Sequence, residues 1–228
     1  MLRAELCPAR AGPGVGMPVL RRMQPFRRTF EEIEEYALAW QAHNAAALHA
    51  DGPLWAVLGD SAAQGVGASA HDRGWVGLVH ERRLAGHRLV NLSRSGARTR
   101  EAADVQWPAA RSLRPALVTV VIGGNDAVHT PLERWVRDID DLTAALPAGA
   151  VVSTVSKGIF ERKTRRANDH LRSRAADLGL RVADIWAHTG PPYRGRYADG
   201  FHPNDLGYVP WADAVVEALT GREADARS

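Results

Sequence analysis

The sequence has almost no cysteine and almost no lysine. Cys7 is the single cysteine among 228 residues, which excludes an intramolecular disulfide framework and any zinc or iron–sulfur site built on cysteine ligands. Lys157 and Lys163 are the only lysines, so 27 of the 29 basic residues are arginines. Because 26 acidic residues nearly balance them, the net charge is only +3. We therefore expect no nucleic-acid partner on the ground of charge.

Long apolar runs are also missing. No stretch approaches the roughly 18 apolar residues of a membrane span, and no apolar signal-peptide core follows the basic N-terminus. We expect a cytoplasmic protein without a transmembrane segment. A composition of 45% hydrophobic and 24% charged residues is typical of a globular domain and excludes general disorder.

The chain is expected to divide into a flexible lead, one domain and a short tail. Residues 1–28 are rich in proline and glycine, which predicts the lead, and Met1, Met17 or Met23 remains open as the true start. The domain is expected over residues 29–222 and the tail over 223–228, since about 200 residues suit one domain.

A helix is expected to open the domain. Its apolar positions follow helical spacing, and glutamates at 31–35 suit the positive end of a helix dipole; the stripe is Phe30, Ile33, Ala37, Trp40, Ala47 and Leu48. We interpret it as packed on its own domain rather than as a membrane or partner helix.

Five short apolar runs then alternate with helical stretches. The predicted strands are 54–58, 88–92, 116–122, 150–155 and 180–185. Strands separated by helices form βαβ units, so the fold class is α/β, with a parallel sheet and helices on both faces. Thr130, Pro131 and Glu133 predict a capping box at a helix start. Pro108 is expected to interrupt the helix that begins near Thr99.

Polar residues follow four of these strands. The segments are Gly-Asp-Ser at 59–61, 91–96, Gly-Gly-Asn-Asp at 123–126, and Asp-Gly-Phe-His-Pro-Asn at 199–204. Ligands of parallel α/β sheets bind beyond the carboxyl ends of the strands. The segments supply a hydroxyl, an amide, carboxylates and an imidazole, which are the groups that acyl transfer needs as nucleophile, oxyanion donor, orienting acid and base.

In these segments the chain resembles the SGNH hydrolases, also called GDSL-type esterases and lipases. Ser61 in GDSAAQGVG, Gly96 in NLSRSGART and Asn125 in GGND match three blocks of that family, and Asp199 and His202 match its Asp-x-x-His block. The similarity covers nearly all of residues 55–219. It implies a three-layer α/β/α sandwich with a five-stranded parallel sheet in the flavodoxin-like order 2-1-3-4-5.

The resemblance also implies hydrolysis of a small-molecule carboxylic ester through an acyl-enzyme, with no cofactor and no metal. Ser61, His202 and Asp199 would form the catalytic triad, and the N–H groups of Ser61 and Gly96 with the Asn125 amide would form the oxyanion hole. The same residues would serve a thioesterase or a carbohydrate O-deacetylase. A non-catalytic binding module stays as an alternative of another class, and the oligomeric state stays open.

Three further residues are possible substrate-binding residues: Asp60, Trp186 and Phe201. Asp60 has a simpler interpretation, in which it holds its turn through backbone N–H groups, and Trp186 suits a core position equally well. Asp126 is interpreted as a loop scaffold. The acidic residues at 138, 140 and 141 are interpreted as a solvated helix face.

A basic run follows the fourth predicted strand: Lys157, Arg162, Lys163, Arg165 and Arg166. It suits either an anionic substrate, such as a phospholipid or an acyl-CoA, or a solvated loop. Residues 65–70 satisfy a loose dinucleotide fingerprint, but no acidic residue ends the next strand, so nucleotide binding is not expected. Ala63 breaks the G-x-S-x-G elbow of the α/β-hydrolases around Ser61.

Overall fold

The computed structural model describes residues 24–158 and 160–221. Cys7, Met17, Met23 and most of the predicted lead lie outside these ranges, as do the predicted tail and the side chain of Phe30. The division into lead, domain and tail therefore stays a prediction. The first described helix already begins at Gln24, five residues before the predicted start of the domain.

Five parallel strands form one sheet: β1 Leu54–Gly59, β2 Arg88–Asn91, β3 Leu117–Val121, β4 Val151–Ser153 and β5 Arg181–Ala183. Their order is β2-β1-β3-β4-β5, which confirms the expected topology. All but β1 are one to three residues shorter than predicted. At the end of β5 the reason is visible, since Asp184 caps the next helix by accepting from the Ala187 N–H.

Helices flank the sheet: α1 Gln24–Ala47, α2 Trp75–Val79, α3 Thr99–Glu101, α4 Trp107–Ser112, α5 Gly124–His129, α6 Leu132–Ala145, α7 Glu161–Asp177, α8 Ile185–His188 and α9 Asp205–Thr220. A 3-10 turn spans His71–Arg73, and π-helical turns span His80–Leu84 and Ala102–Gln106. Of the described helices, none is long and apolar enough to cross a membrane.

Side chains of β1 alternate between two hydrophobic cores, because successive residues of a strand point to opposite faces. Leu54, Ala56 and Leu58 pack in the core beneath α4, α6 and α7. Trp55 and Val57 pack in the core beneath α2 and α9. The sheet is thus buried on both faces, as in the predicted three-layer sandwich.

The first helix covers the edge of the sheet at β2. Ala47 of α1 joins the first core and Trp40 joins the second. Asn44 Nδ2 donates to the Asn91 carbonyl at 2.7 Å, and the Asn91 N–H donates to Asn44 Oδ1 at 2.8 Å. The amide of Asn44 thereby occupies groups that an added strand would otherwise take. The helix packs on its own domain, as the sequence indicated.

The buried face of α1 differs from the predicted stripe. Tyr36, Trp40 and Asn44 are buried, whereas Ile33 and Ala37 are only half-buried. The pattern misled because Tyr36 and Asn44 are polar and are buried through hydrogen bonds rather than through apolar surface. The dipole argument was wrong as well, since a helix that begins at Gln24 places residues 31–35 beyond its first turn.

Three other local predictions were wrong. Pro131, not Thr130, is the N-cap of α6, because the Thr130 hydroxyl donates to Asp126 Oδ1 at 2.9 Å instead. Pro108 does not end its helical stretch, which runs on to Ser112, although the hydrogen-bond pattern is π-helical over Ala102–Gln106 directly before it. Asp138 is buried rather than solvated and accepts a hydrogen bond from Arg134.

Candidate active site

Three side chains form a hydrogen-bonded chain at the carboxyl end of the sheet. Ser61 Oγ lies 2.8 Å from His202 Nε2, and His202 Nδ1 lies 2.7 Å from Asp199 Oδ2. Ser61 and His202 are 5% and 9% exposed, and the Asp199 side chain is 6% exposed. Asp199 and His202 are three residues apart, and both lie about 140 positions after Ser61 in the sequence. The fold therefore brings Ser61 to a pair of residues from a distant turn.

Ser61 lies in the turn that directly follows β1. Asp60 Oδ1 accepts the Ala62 N–H at 3.0 Å, and the Asp60 carbonyl accepts the Ala63 N–H at 3.1 Å. The simpler interpretation of Asp60, as a residue that holds its turn, agrees with these contacts. Burial raises the pKa of Asp60 to about 6.

The end of β1 is fixed by an amide that the sequence analysis missed. Gln106, in the π-helical turn before α4, accepts the Gly59 N–H through Oε1 at 2.8 Å and donates to the Gly59 carbonyl through Nε2 at 2.9 Å. Gln106 is 4% exposed, so both backbone groups of Gly59 are satisfied without water. This pairing holds the residue two positions before Ser61.

We expect Gln106→Ala to lower the free energy of unfolding by about 1–3 kcal/mol, because it leaves the buried Gly59 N–H unpaired and removes one of the two donors to the Gly59 carbonyl, the other being the Arg94 N–H at 3.1 Å. Urea unfolding followed by circular dichroism measures the loss. Gln41→Ala is the matched control: the same substitution on a half-buried helical position should change stability by less than about 0.5 kcal/mol. Equal effects of the two variants would contradict this account of Gln106.

Asp199 and His202 lie in one tight turn. Asp199 Oδ1 accepts the N–H groups of Phe201 at 2.9 Å and His202 at 2.7 Å, which leaves Oδ2 facing the imidazole. Burial alone would raise the pKa of Asp199, but the hydrogen bonds and charge of His202, with the two N–H groups, hold it well below its usual range. Asp199 is therefore a carboxylate at neutral pH.

The segment after Ser61 packs closely against the histidine turn. Gly67 has a φ of +93°, and a Cβ there would lie 2.5 Å from the Pro203 carbonyl oxygen and 2.9 Å from His202 Cβ. Any other residue would clash with backbone and would be strained as well. Gly67 thus permits the close approach that joins Ser61 to His202.

Two predicted oxyanion donors, Gly96 and Asn125, lie in the segments that follow β2 and β3. Asn125, at the start of α5, donates through Nδ2 to the Ala97 carbonyl at 3.0 Å, while Nδ2 lies 3.5 Å from Asp60 Oδ2. One amide hydrogen is thus firmly held, and the other is held only loosely. Gly96 is exposed with a φ of +81°, a conformation that favours glycine.

A second amide that the sequence analysis missed holds the Gly96 loop. Gln64 Oε1 accepts the Ser95 N–H at 3.1 Å, and Gln64 Nε2 donates to the Ser93 carbonyl at 3.2 Å. Gln64 is 2% exposed. The only signal for Gln64 or Gln106 in the sequence is an amide among small or apolar neighbours, which does not say which backbone groups it meets.

A cleft opens beside Ser61, and two of the three possible substrate-binding residues line it. Asp60 and Phe201 contribute to its wall with Val155 and Trp211. The Phe201 ring lies edge-on to His202, with centroids 5.1 Å apart. Trp186 does not line the cleft; its half-buried ring lies 6.0 Å from Lys157 Nζ.

Asp126 contacts structural groups rather than His202. Its Oδ2 accepts from the N–H and hydroxyl of Thr99 at 2.8 and 3.0 Å, and burial raises its pKa. This joins the start of α3 to α5 and agrees with the interpretation of Asp126 as a scaffold. Lys163 Nζ donates to the carbonyls of Asp126 and Ala127, both at 2.9 Å, so this member of the basic run stabilises α5.

Three arginines of that basic run are not among the residues that line the cleft. Arg162, Arg165 and Arg166 lie exposed on the first turns of α7. These positions agree with the solvated interpretation of the run, while an anionic substrate stays a prediction.

The family of the chain follows from its sequence. Residues 57–209 match the model of the GDSL-like lipase/acylhydrolase family. The chain belongs to this family, and it is a hydrolase of the esterase class. No curated protein matches the sequence.

Solved structures with the same fold include TesA and two enzymes whose class is stated. TesA is 22% identical with a TM-score of 0.62, over 74% of this chain and 98% of its own. LAE5, an alpha/beta hydrolase enzyme from the metagenome of Lake Arreo in Spain, is 21% identical with a TM-score of 0.61, over 76% and 98%. Axe2, an acetylxylan esterase from Geobacillus stearothermophilus, is 19% identical with a TM-score of 0.60, over 78% and 98%.

Proposed function

We propose that this protein hydrolyses a small-molecule carboxylic ester through an acyl-enzyme formed on Ser61. One observation carries the proposal: an unbroken hydrogen-bond chain runs from Ser61 Oγ through His202 to the Asp199 carboxylate, in steps of 2.8 and 2.7 Å. An alcohol is a weak nucleophile near neutral pH, so it needs a base in contact and a group that orients the base.

In the first half of the reaction, Ser61 Oγ attacks the ester carbonyl carbon as His202 Nε2 takes its proton. Asp199 holds the proton on His202 Nδ1, which keeps Nε2 free to act as the base. The oxyanion accepts hydrogen bonds from the N–H groups of Ser61 and Gly96 and from Asn125 Nδ2.

Collapse of the tetrahedral intermediate breaks the bond to the alcohol oxygen, which receives the proton held by His202. Water then enters, gives its proton to His202 Nε2 and attacks the acyl carbon. The second intermediate expels Ser61 Oγ, which regains its proton, and the carboxylic acid leaves. All side chains that transfer a proton in these reaction steps belong to the protein itself.

The apolar walls of the cleft favour a substrate with an apolar acyl or alcohol group. Val155, Phe201 and Trp211 supply apolar surface beside Ser61, and burial of such surface contributes about 25 cal/mol per Å². Axe2 is described as an acetylxylan esterase, so carbohydrate O-deacetylation is the second candidate. Thioester hydrolysis is the third, because the same groups serve both reactions.

A substrate panel tests the proposal. Chromogenic acyl esters of increasing chain length, acyl thioesters of matched length and an acetylated xylo-oligosaccharide are compared by kcat/KM. The proposal expects the simple esters to be hydrolysed fastest, with Ser61→Ala inactive on all of them. Activity on acetylated sugar or thioester alone would move the assignment to that class, and no turnover of any substrate would support a binding module.

Asn125→Ala should lower kcat by about 10²–10³ with little change in KM, because the lost donor acts on charge that exists only in the transition state. Steady-state kinetics on the best ester of the panel measures the split. A variant with raised KM and unchanged kcat would mean that Asn125 binds the substrate and not the oxyanion.

A further inference from the structure

One face of α1 lies along the segment that follows Ser61. Glu32 Oε2 accepts the Gly67 N–H at 3.3 Å, the Tyr36 hydroxyl donates to the Ala68 carbonyl at 2.8 Å, and Trp40 Nε1 donates to the Gln64 carbonyl at 3.0 Å. These residues are spaced four apart, which places them on one side of a helix. The helix is therefore held against residues 64–68 by a row of specific polar contacts.

The same face ends at the proposed triad. Thr29, three residues before Glu32, donates its hydroxyl to Asp199 Oδ2 at 3.0 Å. This oxygen also accepts from His202 Nδ1, while Oδ1 accepts the two backbone N–H groups of the turn. Each carboxylate oxygen of Asp199 thus accepts two hydrogen bonds, and three of the four donors come from Asp199's own turn.

We propose that Thr29 is a positioning residue of the active site, and that α1 completes the triad from outside the family-matched segment. The inference rests on the proposed function, in which Asp199 orients His202. The match to the family begins at residue 57, after α1 has ended at Ala47. The fourth hydrogen bond of the carboxylate is therefore supplied by a part of this chain that the family match does not include.

The hydroxyl has two physical effects on Asp199. It fixes the rotation of the carboxylate about its Cβ–Cγ bond, which keeps Oδ2 on the line to His202 Nδ1. It also stabilises negative charge on Oδ2, so less of that charge is available to stabilise a protonated imidazole. Removing the hydroxyl should therefore favour the imidazolium and lower the fraction of enzyme with a free base.

Other titratable groups surround the pair and stay constant in the test. Asp60 lies in the β1 turn, Tyr208 of α9 donates to the Val66 carbonyl at 2.7 Å, and Glu32 lies on α1 itself. None of them is altered by a substitution at Thr29. A change in the pH profile then reports the hydrogen bond to Asp199.

The test compares three variants of the full chain by the pH dependence of kcat/KM. Thr29→Val removes the hydroxyl at nearly constant shape, and we expect its acidic limb to move about 0.3–0.5 pH unit to higher pH, with a plateau about 3- to 10-fold lower. Thr29→Ser keeps the hydroxyl and should restore the wild-type limb. Tyr36→Phe removes another contact of α1 without touching Asp199 and should leave the limb in place.

Two results would overturn the inference: a Thr29→Val limb that coincides with that of the wild type, or a Tyr36→Phe limb that moves as far as that of Thr29→Val. The second would mean that α1 acts only through general packing. Failure of the proposed function is seen separately, as ester turnover that survives in Ser61→Ala or as a wild-type protein that turns over no substrate. An inactive Ser61→Ala with a silent Thr29→Val rejects the role of Thr29 alone.

Discussion

Ester turnover should fall by about 10⁶ in Ser61→Ala while the protein stays folded. The fall is that large because the nucleophile, its base and the orienting carboxylate act as one unit, so that loss of the nucleophile removes the whole covalent route. Ser61 Oγ bonds His202 in a turn rather than in either hydrophobic core, so its removal leaves the packing of the sheet unchanged. Initial rates on the best chromogenic ester measure the loss.

A second serine and a covalent probe make the result specific. Ser112→Ala, on the exposed face of α4, should keep full activity. An organophosphonate should inactivate the wild-type enzyme stoichiometrically, and peptide mass mapping should locate the adduct on Ser61. Thermal melts of both variants should lie within a few degrees of the wild type. An adduct on another serine would contradict the proposed nucleophile.

The sheet was predictable because its signals are local. The run at 116–122 is β-branched and uncharged, and it becomes the central strand β3, buried on both faces. Alternation of strands with helical stretches then limits the topology, since parallel strands need a crossover between them. The resemblance to a family supplied the strand order itself, which the structure confirms.

Two local predictions failed although the partners that decide the outcome lie only four residues away. Thr130 has the residue type of an N-cap, but Asp126 takes its hydroxyl. Asp138 has the residue type of a solvated position, but it is buried and bonded to Arg134. Residue type alone does not say which of several nearby groups a hydroxyl will choose, or whether a carboxylate on a helix will be covered by its surroundings.

For the candidate site, too, the motif residues were predictable and the residues that hold them were not. The motif residues Ser61, Asp199 and His202 lie together as the resemblance implied, and Asn125 contacts the Gly96 loop through the Ala97 carbonyl. The residues that hold them in place were missed: the amides of Gln64 and Gln106, and Thr29 from the first helix. Each of these contacts joins segments 29 to 170 positions apart, which no motif spans.

Asp199→Asn should lower kcat by about 10³–10⁴, and the geometry gives the reason. The N–H groups of Phe201 and His202 both point at Oδ1, so the oxygen of an asparagine stays there and its Nδ2 takes the place of Oδ2. A donor then faces His202 Nδ1, which forces the ring proton onto Nε2. The proton would face Ser61 Oγ, and the base for the nucleophile would be lost.

The pH profile of Asp199→Asn separates this cause from simple misfolding. The carboxylate favours a protonated imidazole, so its loss should move the acidic limb of kcat/KM to lower pH, while the plateau falls. This direction is opposite to that expected for Thr29→Val, although both substitutions act on the same oxygen. Because the pKa of Asp199 is held well below its usual range, the wild-type carboxylate stays charged throughout the measured limb. An unchanged plateau and limb in Asp199→Asn would mean that another carboxylate is the partner of His202. Asp60 would then be the first residue to replace, because it lies beside Ser61 and interacts with the charge of His202.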